Sequence, residues 1–436
     1  MSKKYELLFP AGNFEKMKYA IAYGADAVYC GVPMFSLRAR ENQFTWETLA
    51  EAVEYCHSRG VKIYFTANIY AHNVKIKPFM AAFEKMQALK PDAYIMSDPG
   101  LISLVRENFP EAEIHLSVQA NNTNWAQIKF WQKIGITRII LSRELSLREV
   151  KEMRAECPDI ELEFFVHGAI CMAYSGRCLL SNYFSHRDPN QGTCSHSCRW
   201  EYKVFKKDAS EEELYDSTGR PEDYVPLKGE FYLEETERPG EMLPIDEDEH
   251  GTYIMNSRDI CLLSYLPELA DAGIISFKVE GRSKTVNYLA GVGKAYRAAM
   301  DALERGEEYD MEKLSREIFA ISNRGYTPGF LVGNPGEKGI WFEKNGEIKE
   351  EEFIGIVRSY DASTGLARIE VKNRFDVGDT VRIINPKDDF EFTLERIVGP
   401  EGDDKHCAHG GSFDVDIAVP KDPEEFALVR KMPKRP

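Results

Sequence analysis

Short runs of β-branched and aromatic residues recur at even spacing through the first half of the chain. They are Tyr5 to Pro10, Ala27 to Gly31, Lys62 to Asn68, Ala93 to Ser97, Glu113 to Gln119, Arg138 to Ser142, Glu161 to His167 and, after an interruption, Ile275 to Glu280. Between them lie amphipathic stretches such as Phe14 to Tyr23, Thr45 to Arg59, Ile76 to Leu89, Asn124 to Ile134 and Ser146 to Glu156. In the second of these, Trp46, Leu49, Ala52, Val53 and Cys56 repeat at helical spacing, and Ser146 with Glu149 forms a capping-box pattern. Strand alternating with helix predicts a parallel sheet. Eight such units predict an α/β fold, a (β/α)8 TIM-like barrel; an open doubly wound sheet is the alternative, since periodicity does not show closure.

In a barrel, polar residues at the C-terminal ends of the strands converge on one site. Asn68, Ser97, Asp98, Gln119, Arg143, Glu144, His167, Lys278, Glu280 and Arg282 stand at such ends. After the seventh strand about a hundred residues interrupt the alternation, first Cys-rich and then acidic. Asn323-Arg-Gly-Tyr-Thr-Pro-Gly329 and Gly333-Asn-Pro-Gly336 read as connecting chain. From Phe353 the pattern turns to strict alternation, as in Leu366-Ala-Arg-Ile-Glu-Val-Lys372 and Asp379-Thr-Val-Arg-Ile-Ile384, with turn residues between. The domain division is therefore 1–330 for the barrel with its metal-binding insertion at about 168–250, 331–350 for a linker, and 351–436 for a small all-β barrel. Arg358, Arg368, Lys372, Arg374 and Arg382 of that last domain could touch a phosphate backbone, although solvated strand faces are the commoner reading.

The 436 residues carry a formal charge of −16, which is concentrated in one place. Residues 208 to 250 hold 16 Asp or Glu against three Lys or Arg, a composition typical of a solvated insertion. The remainder is close to neutral, so a polyanionic partner is not excluded, because a basic face acts locally within about a Debye length. No stretch approaches the roughly 20 apolar residues of a membrane helix and no signal region opens the chain, so a cytoplasmic protein is expected. In that compartment cysteines serve as ligands, core thiols or reactive thiols rather than as disulfides.

Four of the nine cysteines, Cys171, Cys178, Cys194 and Cys198, fall within 28 residues, separated by six, fifteen and three others. Only the last pair has the tight spacing usual for structural zinc. Iron-sulfur clusters accept cysteines from separate loops, so the spacing favours a cluster over zinc. There is no His-Glu-x-x-His zinc motif and no Gly-x-Ser-x-Gly elbow. Cys171 or Cys178 with His167 could serve a thiol peptidase.

The segment Glu163-Phe-Phe-Val-His-Gly168-Ala-Ile-Cys171-Met-Ala-Tyr-Ser-Gly176-Arg-Cys178-Leu-Leu-Ser181 resembles the signature of the collagenase-like peptidase family, U32, at every defined position. Leu8-Phe-Pro-Ala-Gly12, Gly24-Ala-Asp-Ala-Val-Tyr-Cys-Gly31, Arg187-Asp-Pro-Asn-Gln-Gly192 and Lys278-Val-Glu-Gly-Arg282 extend the resemblance over essentially the whole chain. Within the family it is most similar to the branch that hydroxylates tRNA. That resemblance implies oxygen-independent formation of 5-hydroxyuridine at the wobble position, with tRNA as partner, prephenate as cosubstrate and a 4Fe-4S cluster, zinc being the alternative. It places Cys171, Cys178 and Cys194 in motif positions; Cys198 is taken as the fourth ligand because it closes the compact pattern, with Cys261 the competitor. On this reading Arg143, Lys278 and Arg282, with Gln119, bind a small carboxylate cosubstrate, since guanidinium groups grip carboxylates in a fork. Glu144, Glu280 and His167 are the candidate acid-base groups. A collagenase-like peptidase, metal- or thiol-dependent, and a noncatalytic RNA-binding accessory protein are the rival functions.

Overall fold

The computed structural model describes residues 5–37, 42–171, 173–199, 257–340, 350–411 and 413–433, together with the backbone of five short strands between 205 and 253. The acidic run at 208–250 lies largely outside the described residues.

Eight parallel strands, β1 (Glu6–Ala11), β2 (Ala27–Gly31), β3 (Lys62–Thr66), β4 (Ala93–Met96), β5 (Ile114–Leu116), β6 (Arg138–Ile140), β7 (Glu161–Ala169) and β8 (Ile274–Val279), form the barrel. β8 pairs in parallel with both β1, Glu6 opposite Ser276, and β7, Phe277 opposite Phe164, so the sheet closes and the open alternative is excluded. Among the described residues, eight helices alternate with these strands and pack outside: α1 (Phe14–Ala22), α2 (Trp46–His57), α3 (Asn73–Leu89), α4 (Pro99–Asn108), α5 (Trp125–Lys133), α6 (Leu147–Glu156), α7 (Leu266–Asp271) and α8 (Val286–Arg305), with a further helix, Met311–Phe319, burying Leu314 and Ile318 in the same core. Six of the eight open on a side-chain cap, from Asn13, Thr45, Asp98, Asn124, Ser146 and Thr285, which satisfies first-turn N–H groups just after each strand. One of the polar strand-end residues is spent this way. Asp98 accepts from Gly100 and Leu101 N–H at 2.8 and 3.1 Å, and from Ala71 N–H at 2.9 Å.

Inside the barrel, Leu8, Tyr29, Ile95, Val118, Ile140 and Phe165 form an apolar layer. Around and beneath it runs a charged network. Glu6 takes Arg138 at 2.5 Å, Ser276 at 2.7 Å and Tyr64 at 2.6 Å, and Glu163, with no exposed surface, takes Lys278 at 2.7 Å. Buried Glu163 and largely buried Glu6, with half-exposed Glu161 also on Arg138, offset the two buried cations, the condition for burying charge at all.

Beyond β7 the short strand Asp259–Cys261 runs antiparallel to the end of β7, and Tyr326–Thr327 pairs in parallel with it. Buried Asp259 is ion-paired to Arg324. The stretch Asn323 to Gly329, expected as connecting chain, is therefore docked on the barrel wall, because a buried carboxylate at Asp259 requires a cation and this turn supplies it.

The C-terminal domain holds β9 (Glu352–Asp361), β10 (Leu366–Val371), β11 (Thr380–Ile384), β12 (Phe390–Thr393), β13 (Ile397–Val398), β14 (Asp404–Lys405), β15 (Val415–Ala418) and β16 (Leu428–Lys431). They lie in the order β12-β11-β16-β9-β10-β15-β13-β14, an antiparallel sheet curled into a half-barrel over Ile354, Ile369, Val381, Ile383 and Val429. It is fixed to the large barrel. Arg430, wholly buried, donates to Asn287 Oδ1 of α8 at 2.7 Å and lies 3.3 Å from Glu351, while the hydroxyl of Tyr23, just after α1, donates to the Phe426 carbonyl at 3.0 Å.

The phosphate-binding expectation for this domain meets a different arrangement. Arg358 pairs with Glu15 and Glu370, Arg368 with Asp416 at 2.6 Å, Lys372 with Glu370 at 2.5 Å and Arg374 with Asp376 at 2.9 Å. Arg382 is buried among Glu317, Glu351 and Asp389. Carboxylates of the same segment, of a neighbouring strand or of the large barrel pair with all five.

Candidate active site

A cavity of about 400 Å³ opens at the C-terminal mouth of the barrel. Its floor comes from the strands and its wall from the segment that follows β7. Gln119, Arg143, Lys278, Glu280, Arg282, Cys171, Cys178, Cys194 and Cys198 all line it.

The three cations are held in different ways. Lys278 Nζ contacts Glu163 at 2.7 Å and sits 4.4 Å above the Tyr29 ring. Burial lowers its pKa, and the Glu163 carboxylate opposes that shift. The Arg143 guanidinium lies 3.9 Å over the Phe165 ring and 3.7 Å from Glu280, and its Nε is buried with no hydrogen-bond partner among the described residues. Arg282 donates to the Ser36 hydroxyl at 2.6 Å and the Thr66 hydroxyl at 3.0 Å, which fix its guanidinium on the barrel rim. An anion entering this cavity meets preorganised donors in a water-poor setting, where charge-assisted hydrogen bonds are strongest.

The Cys-rich wall is built by the small residues of the signature. Gly176 adopts φ +75°, and a Cβ there would stand 2.2 Å from the Gln119 carbonyl oxygen, so glycine lets the turn lie directly on the barrel rim. Gly168 adopts φ +106° against the Glu280 carbonyl, where a Cβ would stand at 2.8 Å. The Ser181 hydroxyl donates to the Arg187 carbonyl at 2.8 Å and accepts from Ser195 N–H at 2.9 Å, pinning the chain beside Cys194. A second tie joins Tyr70 N–H to the Asn190 carbonyl at 3.3 Å.

None of the four cysteines is in a disulfide. A soft, four-sulfur donor set on one wall fits an iron-sulfur cluster or zinc. Among the described residues no three His, Cys, Asp or Glu side chains are drawn close enough to hold a single ion. Cys261 does not line the cavity. It is partly buried with its sulfur 3.7 Å from the Tyr296 hydroxyl, and burial raises its thiol pKa.

Two expected site residues lie elsewhere. Strict alternation along β7 points His167 into the barrel with Phe165, but the register shifts between Lys278–Phe165 and Val279–His167. This bulge turns His167 outward. It is buried among the rings of Tyr288, Tyr296 and Tyr326, at 5.8, 5.4 and 5.1 Å between centroids. Burial, the largest cause, lowers its pKa to about 3, with Asp259 opposing the shift. The imidazole is therefore neutral at physiological pH and away from the cavity. Glu144 is not among the lining residues either; its carboxylate accepts from the Ser142 hydroxyl.

Other lining residues went unnoticed in the sequence. Tyr29, Phe165 and Ser117 occupy inward positions of strands or strand ends, a signal that alternation carries once the barrel is closed, whereas Asn68, expected at a strand end, does line the cavity. Tyr174 and Arg177 fall at undefined positions of the signature and carry no such signal.

The profile of peptidase family U32 matches residues 12–341, and that of the peptidase family U32 C-terminal domain matches residues 349–430. The chain belongs to peptidase family U32. Among U32 relatives it is 44% identical to the tRNA hydroxylation protein P of Escherichia coli (strain K12), over 98% of this chain and 97% of that one. It is 43% identical to the protein of the same name from Haemophilus influenzae (strain ATCC 51907 / DSM 11121 / KW20 / Rd), over 96% and 94%. To the 23S rRNA 5-hydroxycytidine C2501 synthase of Escherichia coli (strain K12) it is 31% identical over 81% of this chain and 48% of that protein. Among the described residues no helix is long and apolar enough to cross a membrane.

Proposed function

We propose that this chain is an RNA-modifying enzyme that hydroxylates uridine at the wobble position of tRNA, without oxygen and with prephenate as cosubstrate. The observation that carries the reading is the convergence in one cavity of the four signature cysteines with Arg143, Lys278 and Arg282. Full-length similarity to proteins named for tRNA hydroxylation supports the choice of substrate.

Cys171, Cys178, Cys194 and Cys198 are the residues that would hold a 4Fe-4S cluster, which would supply redox or Lewis-acid chemistry at the cavity wall. The protein's own side chains do the rest. Arg282 and the unpartnered Nε of Arg143 bind carboxylate oxygens of the cosubstrate, and Lys278, steadied by Glu163, adds a buried positive charge. Glu280, beside Arg143, is the carboxylate placed to move a proton at a bound ligand. Tyr29, Ile95, Ile140 and Phe165 close the floor against water. The pairing of Cys171 or Cys178 with His167 that a thiol peptidase could use is not formed, because His167 faces the opposite side of β7; among the described residues, the histidine that lines the cavity with the cysteines is His196.

Mass spectrometry of tRNA nucleosides from cells lacking the gene tests this. Loss of 5-hydroxyuridine-type nucleosides, restored by the wild-type gene and not by Cys171→Ala, is expected. Unchanged nucleosides in the deletion would refute the hydroxylation reading, and rescue by Cys171→Ala would assign an accessory role. Iron and sulfide analysis after anaerobic reconstitution separates a cluster from zinc.

A further inference from the structure

The buried cations suit a small anion, but a polynucleotide needs cations and flat apolar surface on the outside. Only one of the surfaces described above offers both. Tyr174 and Leu179, at 54% and 53% exposure, stand at the mouth of the cavity and contribute to its lining. Arg177, exposed, lines the same mouth, and Arg187 is exposed farther along the segment. Neither arginine makes an ion pair among the described residues. The turn that presents Tyr174 and Arg177 is closed by Arg177 N–H on the Tyr174 carbonyl at 3.0 Å and seated on the rim through Gly176. The platform is thus fixed before any ligand arrives. By contrast, the cations of the half-barrel once expected to meet phosphate are paired with carboxylates.

We propose that the rim from Tyr174 to Arg187 is the RNA-binding surface. The Tyr174 ring stacks on an unstacked nucleobase at the cavity mouth, and Arg177 and Arg187 pair with flanking phosphates. The ligand is a single-stranded loop, because a base within a duplex cannot present its face to a side chain. This rests on the RNA-modifying reading above and adds to it where, and through which contacts, the strand is held.

The test measures binding of the full-length protein to an unmodified tRNA transcript, and to an RNA duplex of equal length, at two salt concentrations. Tyr174→Ala is expected to weaken transcript binding about 5- to 160-fold, the span of one lost base–aromatic stack, while Tyr174→Phe stays near wild type. Arg177→Ala with Arg187→Ala should weaken binding and flatten the salt slope by roughly 0.7 per arginine. Arg368→Ala and Arg374→Ala serve as controls and should bind normally. Tyr174→Ala binding as tightly as wild type, the half-barrel variants weakening as much as the rim variants, or the duplex binding as well as the transcript would overturn the proposal and leave the tRNA reading standing. Wild-type protein that does not bind the transcript would overturn both.

Discussion

Acidification should destabilise this protein through His167, by an amount that the surroundings of the imidazole set. The ring lies buried among Tyr288, Tyr296 and Tyr326, its Nε2 lacks a hydrogen-bond partner among the described residues, and its pKa is lowered to about 3. An unfolded histidine titrates near 6.5. Because the folded value is the depressed one, the unfolded chain takes up the proton first. Stability from this group is complete above about pH 6.5 and is lost progressively as pH falls toward 3. At pH 5 the unfolded state is ahead by 1.5 units, which at about 1.36 kcal/mol per unit costs about 2 kcal/mol relative to pH 7.5. His167→Phe removes the titration and keeps an aromatic ring in place. The Tyr296 hydroxyl keeps its 2.8 Å bond to the Val166 carbonyl. Buried His115, whose pKa is also well below normal because of burial and of Arg138, contributes a similar slope to both proteins and drops out of their difference. Urea unfolding at pH 7.5 and 5.0 should show the wild type losing about 2 kcal/mol more than His167→Phe. Equal losses, or an imidazole resonance titrating near 6.5 in the folded protein, would refute the reasoning.

Arg430→Met strips a wholly buried guanidinium from Asn287, Glu351 and Glu317, and should cost about 3–5 kcal/mol in urea unfolding, toward the low end because Arg382 also faces both carboxylates. Adding Glu351→Gln should recover part of that loss. Gly176→Ala forces a Cβ to 2.2 Å from the Gln119 carbonyl at φ +75°, so the Cys-rich wall should detach; faster limited proteolysis within 171–199 and reduced iron after reconstitution are expected. Cys198→Ser should lower iron and sulfide content after anaerobic reconstitution while Cys261→Ser leaves it near wild type, since Cys198 lines the cavity and Cys261 does not. The reverse result would transfer the fourth ligand to Cys261.

Features governed by neighbours in the chain were legible beforehand. The alternation of apolar runs located all eight barrel strands to within a few residues, because side-chain period depends only on local backbone geometry. The same locality made the Ser146–Glu149 capping box visible, and the clustering of four thiols was plain before any fold was known. Closure of the sheet was decided by β8 meeting both β1 and β7, more than a hundred residues away from either in sequence. The fate of individual polar residues was decided in the same way. A bulge between β7 and β8 turned His167 out of the barrel, and Asp259 drew the Asn323–Gly329 stretch onto its wall. Carboxylates on neighbouring strands or on the barrel took the charge of the half-barrel arginines. Periodicity records which side of an element is apolar. Which buried charge finds which partner, and whether a register slips by one residue, depends on contacts between distant segments, and these exist only once the chain has folded.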